Sequence, residues 1–139
     1  MAKKKKPRKR YENTRVSVGS TRESIAKLLT DWGVVDIMWG DQPQTGAAEM
    51  RFRWQHEGAF YTARFNVPPT GDDAKERRRL HRALLHYLKG VFVAVEDGIL
   101  DARTVFLPFL EAPSGQTFGE VVIPRLGTDG ARALAALSS

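Results

Sequence analysis

The segment from Met50 to Phe65, "MRFRWQHEGAFYTARF", alternates apolar and polar residues on both sides of a central Glu57-Gly58 pair. A period of two puts alternate side chains on opposite faces of a strand. A two-residue turn at Glu57-Gly58 fixes the register of the hairpin. His56 then pairs with Ala59, Trp54 with Tyr61, Phe52 with Ala63 and Met50 with Phe65, which gathers one apolar face. The other face receives Arg51 opposite Arg64 and Arg53 opposite Thr62. A slip of one residue would turn every apolar side chain outward, so pattern and turn support each other. The chain is therefore built around an antiparallel sheet with one face to cover.

Two helical segments can cover it. In 19–33, "GSTRESIAKLLTDWG", Ile25, Leu28, Leu29 and Trp32 recur at helical spacing. Ser20 and Glu23 have capping-box spacing at its start, and Gly33 suits a left-handed terminus. The longer segment runs from about Asp72 to Asp97, with Leu80, Leu84, Leu88, Val91, Phe92 and Val95 as the expected buried stripe. "RVSV" (15–18) and "VVDIMWGD" (34–41) read as further strands. "QPQTG" (42–46) and "PPTG" (68–71) read as turns. The segment after Gly98 is apolar and irregular, and "TDGARALAALSS" reads as a short final helix. The expected fold class is α+β, in the order β-α-β-β-β-α, an antiparallel sheet backed by helices with its arginine face open and an irregular C-terminal segment. The expected domains are a disordered basic tail at 1–13 and one α+β domain at 14–139.

The net charge of +6 is unevenly placed. Residues 1–10, "MAKKKKPRKR", hold seven basic residues and no acid. That leaves 15 of the 22 basic residues to face all 16 acids, a net of −1 over the remaining 129 residues. Lys3, Lys4, Lys5, Lys6, Arg8, Lys9 and Arg10 are the density of cations that draws a polyanion by releasing its condensed counterions. The same run is also what a solubility tail, an arm for an acidic protein or an import signal looks like. Arg51, Arg53 and Arg64 are candidate phosphate contacts, with Phe60 placed to stack on an unpaired base. The competing reading is that Glu49, or a segment from the C-terminal region, neutralises them. On the long helix Arg78, Arg82 and Lys89 fall at i, i+4 and i+11, with His86 close by and Arg77 and Arg79 beside them. Such a stripe follows a phosphate backbone or simply solvates a polar helix face.

Chemistry is less well marked. His56, His81 and His86 have no metal-ligand spacing, and no nucleophile elbow or phosphate-binding loop is present. Asp36, Asp41 and Glu49 are the carboxylates that a fold can bring together. The expectation is a protein with no catalytic residues, no cofactor and no metal. The absence of cysteine excludes disulfides, and no apolar run is long enough for a membrane span. The expected location is the cytoplasm.

"HRALLHYLKGVFVAVEDGI" (81–99) and "FLPFLEAPSGQTFGEVVIP" (106–124) resemble a family of small, largely uncharacterised phage and prophage proteins. The shared pattern is an R-A-L helix with a Leu88-Lys89 pair, a V-E-x-G-I turn and a P-x-G-x-T-x-G-E run ending at Glu120. "TRVSVGSTRESIAKLLTDWGV" resembles the start of the family, and Gly90 departs from its usual alanine. The resemblance covers most of 14–126 but not the lysine-rich tail. It implies a phage or mobile-element origin, hence the cytoplasm of a host cell, and brings no catalytic residues. Two functions stand open from the sequence. One is a non-enzymatic protein that binds DNA or RNA mainly through backbone phosphates; the other is a module that binds a host protein or a larger assembly.

Overall fold

The computed structural model describes residues 9–126. In order they form α1 (Val18–Asp31), β1 (Asp36–Gln42), β2 (Ala47–His56), β3 (Ala59–Val67), α2 (Ala74–Glu96), α3 (Ala102–Phe106) and α4 (Phe118–Val122). Single 3-10 turns follow α3 at Leu107–Phe109 and α4 at Ile123–Arg125. The three strands make one antiparallel sheet in the order β1-β2-β3, and the fold is α+β.

The hairpin has the register that its pattern dictates. Every pair from His56–Ala59 to Met50–Phe65 is present, with Arg51 opposite Arg64. Glu57 and Gly58 both have positive φ, 51° and 83°, the backbone of a type I′ turn whose twist matches the strands it joins. A second glycine is required where β1 turns into β2. Gly46 has φ +75°, and a Cβ there would lie 2.6 Å from Thr70 Oγ1 and 2.8 Å from the Gly71 carbonyl. The PPTG loop is packed directly against it.

The expected strand at 15–18 is not formed. The Ser17 side chain instead accepts a hydrogen bond from the backbone N–H of Ser20 at 3.1 Å, which starts α1 at Val18. A cap bond three residues long outcompetes a four-residue strand that has no neighbour to pair with. Ser20 thereby becomes an interior residue of the first turn, and the Ser20–Glu23 capping box does not arise. At the other end of α1 Gly33 has φ +101°, as its place after the helix calls for.

α2 is capped by Asp73, whose carboxylate accepts from the Glu76 N–H at 3.0 Å. Its buried line is His81, Leu85, Leu88 and Phe92, rotated from the expected stripe; Leu80, Leu84, Val91 and Val95 are half-buried at its side. A histidine takes a core position because both of its ring nitrogens find partners there, as described below.

The core lies between the sheet and the two long helices. It joins Ile25 and Leu29 of α1 to Met50, Phe52, Trp54, Ala63 and Phe65 of the hairpin and to Leu85, Leu88 and Phe92 of α2. Phe106, in the segment that pattern alone leaves unassigned, is fully buried at the centre. Its ring centroid lies 5.5 Å from Phe52, 5.6 Å from Trp54, and 5.8 Å from both Trp32 and Phe92, each pair edge-on or tilted. α3 thus serves to insert one aromatic ring into a cage of aromatic rings.

The chain then turns back along the free edge of β3. The Glu111 N–H donates to the Thr62 carbonyl at 2.9 Å, and Ala63 bridges to Leu110. This carries acidic residues onto the sheet face that the helices leave uncovered, so that face is not open at the β3 edge. α4 begins with a complete capping box between Thr117 and Glu120 and packs so closely that a Cβ on Gly119 would lie 2.8 Å from the Pro108 carbonyl. The expected helix over 128–139 lies outside the described residues. Among the described residues no helix is long and apolar enough to cross a membrane.

Candidate nucleic-acid interface

The sheet arginines are each met by carboxylates. Arg51 Nε lies 3.1 Å from Glu49 Oε1 and 2.8 Å from Glu111 Oε1. Neither approach is along the N–H direction, so these contacts are ionic rather than hydrogen-bonded. Arg64, whose side chain is only 13% exposed, binds Glu120 and lies 3.6 Å from Glu49 and 3.9 Å from Glu111. Two guanidiniums that would repel across the strands are held by three carboxylates. The Thr117 N–H, above all, holds the Glu120 carboxyl below its ordinary pKa, with Arg64 acting in the same direction. Arg53 pairs with Asp36 at 2.7 Å and lies 4.9 Å over the ring of Phe60. Phe60 is 56% exposed, yet one of its faces is already taken by this cation.

The carboxylates open to a catalytic grouping are dispersed by the same pairing. Asp36 serves Arg53, Glu49 serves Arg51 and Arg64, and Asp41 serves Arg22 and Arg77. Among the described residues no group of three or more histidines and acids converges to hold a metal ion.

Four of the cations without an acidic partner among the described residues lie on α2; Arg15, Lys27 and Arg125 are unpaired elsewhere. Lys75, Arg78, Arg82 and Lys89 have no carboxylate at ion-pair distance among the described residues. They follow one another on a single flank of the helix, because steps of three, four and seven residues return to nearly the same angle. At a rise of about 1.5 Å per residue the row is roughly 21 Å long. Lys75 and Lys89 are exposed, while Arg78 and Arg82 are half-buried. Arg77 and Arg79, their sequence neighbours, point to other partners: Arg77 to Asp41 at 2.8 Å and Arg79 to Glu76 at 2.6 Å.

The N-terminal segment joins this helix. Residues 9–13, expected to belong to a disordered tail, form a turn, with the Glu12 N–H donating to the Lys9 carbonyl and the Thr14 N–H to the Tyr11 carbonyl. The Tyr11 ring stacks on His86, centroids 4.6 Å apart and planes within 7°. Lys9 Nζ lies 3.8 Å from Glu76, and Arg10 is exposed without an acidic partner among the described residues. Lys3, Lys4, Lys5, Lys6 and Arg8 lie outside the described residues. The basic run therefore leads into the domain at the face of α2.

One constellation could not be anticipated from spacing. Arg22 of α1 forms a two-pronged ion pair with Asp41 of β1 at 2.9 and 2.7 Å, and its Nε–H donates to His81 Nε2 at 3.2 Å. The Nδ1 of His81 lies 2.9 Å from the Arg77 carbonyl, so it must donate, and the ring is neutral with its proton on Nδ1. Trp39 lies beneath both, 4.1 Å from the Arg22 guanidinium and 5.6 Å from the imidazole. Burial, first of all, pushes the His81 pKa down; the hydrogen bond to the Arg77 carbonyl opposes it, and the positive charges of Arg22 and Arg77 add to the fall. The cluster ties α1, β1 and α2 together. Its members are 19, 36 and 59 residues apart, too distant for any spacing pattern to link them.

No family model matches this chain, and neither a curated protein nor a solved structure matches it significantly.

Proposed function

We propose that this chain is a small non-enzymatic protein that binds nucleic acid, mainly through backbone phosphates, with α2 and the N-terminal basic run as its binding surface. The observation that carries the reading is the contrast between two sets of cations. Arg51, Arg53 and Arg64 are occupied by acids of the same chain. Lys75, Arg78, Arg82 and Lys89 have no such partner among the described residues, and the chain reaches them directly from its basic run. Phosphates can meet the second set without displacing a carboxylate of the described residues, whereas the first set would have to give up its carboxylates. A row of roughly 21 Å spans about six base-pair steps of duplex, so several of its cations can meet phosphates at once. Resemblance to phage and prophage proteins supports a role in a phage or mobile element, in the cytoplasm of its host.

Anisotropy of labelled DNA and RNA, duplex and single-stranded, tests the reading at two salt concentrations. Binding that falls steeply with salt, and that weakens on charge removal from α2 or on deletion of residues 1–10, is the expected result. An intact chain that binds none of them at low salt rejects it.

A second reading, a module for a host protein or larger assembly, is favoured by a different observation. Ile99, Leu107, Phe118, Ile123 and Leu126 are exposed apolar residues of the C-terminal half, Ile123 being 64% exposed. Isolated exposed leucines are ordinary, and five large apolar residues left exposed along one stretch of sequence are side chains that a protein partner could cover.

A further inference from the structure

We propose that His86 is itself a phosphate ligand of the α2 surface, taking up a proton when nucleic acid binds. This rests on the phosphate-binding reading above and adds to it a contact and a pH dependence.

His86 lies four residues after Arg82 and three before Lys89, which places all three on neighbouring positions of one helix face. Its ring is not a free rotor: Tyr11 is stacked flat against it. It is half-buried and makes no hydrogen bond within the described residues, in contrast to His81, both of whose nitrogens are engaged in the core. The groups that face it are Tyr11 from the N-terminal segment and Arg82 and Lys89 from its own helix, with no carboxylate among them.

In the free protein this setting disfavours the imidazolium. Partial desolvation is the larger cause, and the positive charges of Lys89 and Arg82 add to it, so the pKa lies below the ordinary histidine value. A phosphate seated between Arg82 and Lys89 reverses the balance. It offsets both cations and offers its oxygens to the imidazolium N–H, a charge-assisted hydrogen bond. The pKa of His86 is then higher in the complex than in the free protein, and binding takes up a proton. Affinity rises as pH falls between the two values and is flat outside them. One site of this kind changes affinity by at most about tenfold per pH unit.

The test uses the full chain and its His86→Gln variant, which keeps a polar side chain without a titratable ring. Affinity for a short labelled DNA duplex and for its single strand is measured at constant ionic strength from roughly pH 8 to pH 6. The intact chain is expected to tighten several-fold and the variant to change much less. NMR titration of the intact chain, with and without the duplex, is expected to show the His86 resonance titrating at higher pH in the complex. Salt-sensitive binding with the same pH dependence in both proteins, or an unmoved His86 resonance, overturns the proposal and leaves the phosphate-binding reading standing. Absence of binding to either strand form at every pH overturns both.

Discussion

Arg64 stands opposite Arg51 across β2 and β3, and both guanidiniums meet the carboxylate of Glu111, which arrives from a segment 47 residues further along the chain than Arg64. The like charges are thus a device for holding the C-terminal segment on the sheet. Glu111→Gln should destabilise the fold by about 1–3 kcal/mol, because it removes the carboxylate that both partly buried cations share and leaves Glu49 and Glu120 alone to offset their repulsion. Adding Arg51→Ala to that variant should restore part of the stability, since the repulsion is then relieved. Urea unfolding of the two single variants and the double variant measures this coupling, and full additivity would contradict it.

Phe106→Ala should cost about 3–5 kcal/mol, the range for removing a fully enclosed aromatic side chain. Thermal unfolding followed by near-ultraviolet circular dichroism is the direct measure. The same variant should lose the packed aromatic signal of Trp32 and Trp54, whose rings border Phe106.

Gly46→Ala should cost about 1–3 kcal/mol, since it combines a left-handed backbone with a Cβ 2.6 Å from Thr70 Oγ1. Gly90→Ala, where nothing lies within 4 Å of the added Cβ, should be neutral or stabilising by up to about 1 kcal/mol. Denaturation midpoints of the pair compare the two effects directly.

Stability should fall as pH falls below the ordinary histidine range, about pH 6.5. His81 has a lowered pKa in the folded protein, so the unfolded chain binds more protons in this window. Its contribution is complete above the unfolded pKa and is lost progressively until the folded form also protonates. Arg22, Asp41 and Arg77 face it from α1, β1 and α2. In the free protein His86 acts with the same sign, its pKa being lowered too. Asp41 adds a second decline at lower pH, because the Arg22 hydrogen bonds hold its carboxyl below the ordinary value. His81→Gln should lessen the first slope without abolishing it, as read from unfolding free energies across the range.

What the sequence discloses here is what neighbours along the chain decide. The hairpin register follows from a two-residue turn and a period of two, both local. The Gly33 terminus of α1 and the extent of α2 follow from caps and helical spacing. The start of α1 is ambiguous because Ser17 and Ser20 are both good caps, and only the absent strand partner decides between them. The buried stripe of α2 is rotated from its expected place because a histidine ranks as polar until Arg22, 59 residues away, is known to bond it. The place of Phe106 and the acids on the arginine face come from distant segments, beyond what alternation can reveal. For the candidate site the sequence supplies basic residues on two faces, and only pairing distances separate the set held by acids from the set with no acidic partner among the described residues.

We propose that phosphates meet α2 and the N-terminal run rather than the sheet arginines. The most direct measurement is duplex and single-strand binding, at two salt concentrations, by the intact chain, the chain lacking residues 1–10 and the variant Lys75→Ala/Arg78→Ala/Arg82→Ala/Lys89→Ala. Salt-sensitive binding by the intact chain is expected. Each altered protein should show a weaker affinity and a shallower dependence on salt, by about one unit of slope for every phosphate no longer neutralised. Binding by the α2 variant equal to that of the intact chain, with an unchanged salt slope, would contradict the proposal.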